Sequence, residues 1–310
     1  MITMNLLARA ALLLAATLLA HTAFAQAGGQ AHYATPEAAA QALIDAAVSD
    51  DGDALKAVLG TDADELSSGD PVADQLAREA FVEAAVAQAG IEQEEGVDDR
   101  ATLVIGEDDW PFSFPLIREE QGWRFDTEAG FDELYARRIG RNELHAIATL
   151  AAYVEAQYEY ASEDRTNEGR QFAQKLRSSE GKHDGLYWPA ADGAPESPMG
   201  PLVARAVAQG YGTNPAGESA PFHGYYFRTL RSQGAHAPGG AMSYMEGDRM
   251  TRGFAAVAYP AEYGNSGIMT FIVNQQGIVF EKDLGEDTTA LAATMPEYDP
   301  DHSWLPVTDN

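Results

Sequence analysis

The sequence predicts an α+β chain of two domains, and three observations carry that expectation. Apolar residues recur at helical spacing from residue 35 to about 90, and the period then changes to alternation between 101 and 125. One long amphipathic stretch, Phe131–Tyr160, follows and precedes a second run of strand signals that ends near Glu281. Helices first and a Trp-ending sheet after them indicate a small α+β domain over residues 35–130. Residues 131–310 are expected to pack a long helix on a second antiparallel sheet.

The first 25 residues carry one positive charge, Arg9, an apolar run from Ala10 to Ala20, and a small-x-small ending at Ala23–Ala25. That pattern reads as a secretory signal peptide cleaved after Ala25, which places the chain in the periplasm or outside the cell without a stable membrane anchor. Residues 26–34 are small and polar and are expected as a flexible leader. Thr35 then caps a helix that begins at Pro36, Asp53 is the expected cap of DALKAVL, and Asp70 caps a third helix stopped by Gly90. Strands are expected at Ala101–Ile105, around Phe112–Leu116, and at Trp123–Phe125.

In the long helix, Leu144, Ile147, Ala151, Val154 and Tyr158 define the expected buried stripe, widened by Leu150, Tyr153 and Tyr160. Asn167–Arg177 reads as another helix with Phe172 and Leu176 inward, and Leu202–Ala208 as a short one. Strand signals follow at Tyr225–Leu230, Phe254–Tyr259, and the pair Ile268–Val273 with Ile278–Glu281, the last two joined by a four-residue loop ending in Gly277.

The chain has a formal charge of −28, and it is uneven: residues 26–130 hold 24 acids against 5 bases. Such a surface repels nucleic acid, so no nucleic-acid partner is expected. With no cysteine, an exported chain relies on its cores rather than on disulfides.

Against this background Arg137, Arg138 and Arg141 stand out at the start of the long helix, followed by Glu143. Arg137 and Arg141 share a face and Arg138 points about 100° away. The three fit either a carboxylate, phosphate or acidic partner, or a clamp on the acidic N-terminal domain. Six histidines lie beyond residue 25, none in a spaced pair typical of zinc, so no metal and no cofactor is expected. Residues 33–130 contain no His, which excludes His-dependent chemistry in that stretch. His183–Asp184 beside Tyr187 and Trp188, with His223 before Gly224, is the best polar and aromatic cluster. Asp283, Glu286, Asp287, Asp299 and Asp301 offer oxygen ligands but no EF-hand pattern, and residues 259–267 read as a packed turn. No G-x-S-x-G motif is present.

The segment order and the closing GWRFD resemble the cone-shaped nuclear-transport-factor-2-like superfamily over about 95 residues, which implies helices on a curved antiparallel sheet over residues 35–130. The long helix followed by a loop-rich passage and a sheet resembles the soluble part of type IV pilins and pseudopilins, although Tyr135 stands where pilins carry Glu and charged residues replace their apolar spanning segment. Over nearly the whole chain beyond residue 25, the strings DWPFSFPL, GWRFDTEAGFDELYARRIGRNEL, FHGYYFRTL and AYPAEYGNSGIMTFIVNQQGIVFEKDLG resemble a bacterial exported family, domain of unknown function 2950. That resemblance implies no activity. The expected function is a non-enzymatic binding protein of the envelope that meets an envelope protein or a small ligand through Arg137, Arg138, Arg141, Glu143, Tyr187 and Trp188. The alternative is an envelope-acting hydrolase using His183, Asp184 or His223.

Overall fold

A computed structural model describes residues 29–61, 63–93, 95–189, 196–209, 211 and 220–308. The expected signal peptide lies outside these residues. The described residues form two compact units, one of those up to 65 with those of 80–131, the other of residues 66–79 with those from 132 onward.

In the first unit, Thr35 accepts a hydrogen bond from Ala38 N at 3.2 Å and opens α1 (Pro36–Val48). Helix α2 (Gly52–Leu59) ends on Gly60 in the left-handed region. Its cap is Asp51 rather than the expected Asp53, because the Asp51 carboxylate is the one that reaches Ala54 N, at 3.0 Å. Helix α3 (Pro71–Ala87) begins in the second unit and ends in the first. The sheet comprises β1 (Ala89–Glu92), β2 (Arg100–Ile105), β3 (Trp110–Pro111), β4 (Leu116–Glu119) and β5 (Gly122–Phe125). Its order is β1-β2-β4-β5, all antiparallel, with β3 also on β2. Leu103, Phe114, Leu116 and Phe125 are almost fully buried in this unit.

The expected flexible leader is fixed from Gln30 onward. Tyr33 exchanges both backbone hydrogen bonds with Trp123, at 2.8 and 2.7 Å, and the Gln30 amide donates to Val58 O and Phe125 O. Ala31 and Tyr33 are buried, so apolar burial holds a stretch that reads as polar. His32 thereby enters this unit, with Nε2 3.4 Å from Glu119 Oε2, which removes the basis for excluding histidine from it.

Helix α4 (Thr127–Ala161) runs into the second unit, followed by α5 (Gly200–Ala208). Strand β6 (Tyr225–Leu230) comes next, then two short ribbons. These are β7 (Ser232–Gln233) with β8 (Met242–Ser243), and β9 (Met245–Glu246) with β10 (Arg249–Met250). Strands β11 (Ala255–Pro260), β12 (Met269–Asn274) and β13 (Phe280–Asp283), helix α6 (Thr288–Ala293) and β14 (Leu305–Pro306) complete it. The sheet order β14-β13-β12-β11-β6 is antiparallel throughout, with Val257 opposite Arg228 on one side and Ile272 on the other. The α+β expectation therefore holds.

Two expectations in this unit hold in part or not at all. The buried face of α4 contains the expected Leu150, Tyr153 and Tyr160, with Ile147 and Val154 partly buried against the same core, but it continues through Asn142, Ala146 and Gln157 rather than through Leu144 and Tyr158. Leu144 and Tyr158 are 67% and 51% exposed. The apolar pattern misleads because the core admits polar residues whose bonds are met: Asn142 Nδ2 donates to Ser266 O at 2.9 Å, and Tyr153 OH to Ala255 O at 3.1 Å. Residues 167–177 form no helix. Asn167 and Gly169 sit in the left-handed region, and the Gln157 amide takes both Ala173 N and Ala173 O at 2.8 Å, the groups a helix would use.

Candidate functional site

Asp70 begins α3 and is 1% exposed. One carboxylate oxygen accepts from Val72 N and Ala73 N, 3.2 and 3.1 Å away, as an N-cap does. The other accepts from Tyr211 OH at 2.9 Å and Gly224 N at 3.1 Å. Four donors converge on one buried carboxylate, and the loop ahead of β6 is thereby tied to the start of α3.

That loop is a two-residue turn. Phe222 N donates to Tyr225 O at 2.8 Å, and the two central residues, His223 and Gly224, have φ of 48° and 75°. Both signs match a type I′ turn, which favours Asn-Gly. Gly224 is required here because an added Cβ would lie 2.5 Å from Asn142 Nδ2. His223, by contrast, stands where its backbone conformation costs free energy. Its N–H donates to Tyr211 OH at 3.2 Å, and its ring meets that of His145 edge to face, with centroids 4.1 Å apart. Phe222 and Tyr211 pack on its other sides.

Helix α4 supplies the rest. Arg138 and Asn142 stand four apart, and so do Arg141 and His145, which places each pair one above the other on the helix. Arg138 is buried, and its guanidinium donates to Leu66 O at 2.5 Å, to Ser67 O at 3.3 Å and to Asn265 Oδ1. Burial and then the Arg141 charge hold His145 below the ordinary histidine range. Burial, His145 and Arg141 push His223 down to about 4, against the opposing pull of Asp70. Both rings are therefore neutral at pH 7. Among the described residues, no hydrogen bond ends on the Arg141 guanidinium or on the ring nitrogens of His145 and His223.

The other expected site residues separate. Arg137 pairs with Glu133 on its own helix at 2.5 Å. Glu143 Oε1 accepts from Ile268 N and Met269 N, both at 3.0 Å, and so fastens α4 to the start of β12. His183 stacks on Trp188 at 4.3 Å, and Arg165 lies over the same indole at 5.4 Å. Asp184 does not serve His183: its oxygens take Lys175 Nζ at 2.8 Å, Ser179 N at 2.7 Å and Ser179 Oγ at 3.0 Å. Against the opposing effect of burial, those hydrogen bonds hold its carboxyl below the usual range. Tyr187 pairs its backbone with Leu176, N to O, at 2.9 Å. Of the expected residues, only Arg138, Arg141 and His223 fall in the cluster with Asp70, and His145 and Tyr211 join them. His145 was legible at i, i+4 from Arg141, whereas nothing local marks Tyr211. Among the described residues, no group of three or more His, Asp or Glu side chains is placed to hold a metal ion.

The neutral state of His223 makes stability depend on pH. Its folded pKa lies below the unfolded value of about 6.5, so the unfolded chain binds more protons between the two. Stability is then complete above about pH 6.5 and falls as the pH drops toward 4. After allowance for solvent screening the loss is about 2 kcal/mol. Urea unfolding of wild type and His223→Asn at pH 7 and 4.5 tests this. The variant, whose Asn suits the turn, is expected to lose distinctly less on acidification, and an equal loss in both would sink the assignment.

Residues 30–307 match the model of a family described as protein of unknown function (DUF2950). No curated protein and no solved structure matches the chain, so the cone-like and pilin-like resemblances find no support there. Among the described residues, no helix is long and apolar enough to cross a membrane.

Proposed function

The chain belongs to the DUF2950 family, which transfers no activity, and from its site we propose that it is an exported, non-enzymatic binding protein of the cell envelope. Recognition runs through Arg141, His145 and His223 in the second unit. The observation that supports binding over hydrolysis is the saturation of the neighbouring carboxylates. General-base catalysis by histidine usually needs an acidic partner that orients the ring. Asp70 is filled by four donors and Asp184 by Lys175 and Ser179, so neither is left for His223 or His183. What remains at the cluster is a set of nitrogen donors suited to holding a ligand. Export is supported by the pattern of residues 1–25.

The test expresses the full chain with a C-terminal tag in its own host. The periplasmic form is expected to begin at Gln26 by N-terminal sequencing. Wild type is expected to retain a specific envelope component that Arg141→Ala loses while keeping its unfolding midpoint. A partner held equally by both, or turnover of envelope material abolished by His223→Asn, would overturn the reading.

A further inference from the structure

Resting on the binding reading above, we infer that the Arg141, His145 and His223 cluster takes a phosphoryl group, presented as a phosphate ester or as free phosphate. Three observations carry the inference. Arg141 lies one helical turn before His145, and the His145 and His223 rings touch edge to face at 4.1 Å, so three nitrogen-bearing groups share one place. The cluster belongs to a chain of charge −28 in which Arg124, Arg137, Arg165 and Arg252 sit within 4 Å of a carboxylate, while Arg138 and Arg228 are held by backbone carbonyls instead. Arg141 finds none among the described residues, and the nearest acid in the cluster, Asp70, has its oxygens occupied. Third, His223 is held at φ 48° in a turn that favours Asn, and strain kept in place by its surroundings marks a side chain retained for its ring.

The chemistry selects the ligand class. A cation would meet the Arg141 charge, so a metal is disfavoured at these two imidazoles. An anion meets a planar guanidinium fork and two imidazole N–H groups. The fork satisfies two oxygens, and the imidazoles reach further ones, which a tetrahedral phosphoryl group has and a carboxylate lacks. Binding also favours proton uptake at His223, which faces His145 and Arg141 on α4, Asp70 at the start of α3, and Tyr211.

Calorimetric titration of the processed full-length protein with inorganic phosphate, glycerol 3-phosphate, dimethyl phosphate and succinate tests the proposal. At least one phosphoryl probe is expected to bind, about tenfold more weakly in Arg141→Ala and in His223→Asn. A response to the monoester or diester but not to inorganic phosphate would assign the ester as the source; the reverse would assign free phosphate. Dimethyl phosphate keeps one charge across the range, so its affinity is expected to rise about threefold from pH 7 to pH 5 in wild type and to rise distinctly less in His223→Asn, where His145 is the ring left to take up a proton. Absence of phosphoryl binding, succinate binding of equal strength, or insensitivity to both variants would overturn the inference. The two readings fail separately: a partner lost in Arg141→Ala without phosphoryl binding leaves the binding function standing, whereas phosphate binding without any partner leaves only the ligand class.

Discussion

Asp70→Ala is expected to destabilise the second unit by about 4 kcal/mol, lowering its urea midpoint by about 1.5 M. The carboxylate is 1% exposed and accepts from Val72 N, Ala73 N, Tyr211 OH and Gly224 N. Removing it strands four donors where water has poor access, and stranded buried groups cost about 1–3 kcal/mol each before relaxation. The helix start also loses a negative charge that its dipole favours. Asp70→Asn is expected to cost about half as much, since one oxygen remains while the new amide faces donors. A loss below about 1 kcal/mol for the alanine variant would show that the loop and the start of α3 are held by other means.

Arg138→Ala is expected to cost about 3 kcal/mol, while Arg137→Ala, one residue earlier, costs about 0.5 kcal/mol or less. The contrast rests on surroundings, since the side chains are identical. Arg138 is buried and its guanidinium gathers Leu66 O, Ser67 O and Asn265 Oδ1. Arg137 makes an i, i+4 ion pair with a half-exposed Glu133. Without Arg138, residues 66–69 should become sensitive to limited proteolysis, which gives a second readout beside urea unfolding. Because Arg138 and Asp70 secure the same stretch, residues 66–73, the double variant should fall short of the sum of the single losses by about 1 kcal/mol or more. Equal effects at positions 137 and 138 would sink this account.

The clamp expected of the three arginines is thus narrower than their sequence suggests. Arg138 donates to Leu66 O and Ser67 O, beside Asn265 and Asp74, which also bond Ser67, and residues 66 and 67 belong to the second unit rather than to the domain in which their position in the chain places them. Adjacent arginines on a helix point about 100° apart, and periodicity states that separation without stating which direction meets the core. The same ambiguity moved the edge of the buried face of α4, which keeps Leu150, Tyr153 and Tyr160 but takes Asn142 in place of Leu144. Leu144 is a stronger apolar signal than Asn142, yet Asn142 is buried because Ser266 O receives its amide proton. Nothing local to either residue announces that partner, 124 positions away.

Local chemistry did decide a good deal. The caps at Thr35 and Asp70, the turn at Gly277, the change of period after residue 90, the strands at Tyr225–Leu230 and Ala255–Pro260 and the family resemblance were all readable from residues near one another. Each rests on interactions spanning a few residues, which propensity and spacing encode directly. Long-range contact decided the rest. Gln157 converted residues 167–177 from an apolar helical pattern into a pinned loop, and Trp123 drew Tyr33 into a sheet bridge. Asp70, Tyr211, His223 and His145 became one site although 154 residues separate Asp70 from Gly224. Side-chain burial and the satisfaction of buried polar groups depend on which distant segments arrive together, and that is a property of the packed chain rather than of any window along it.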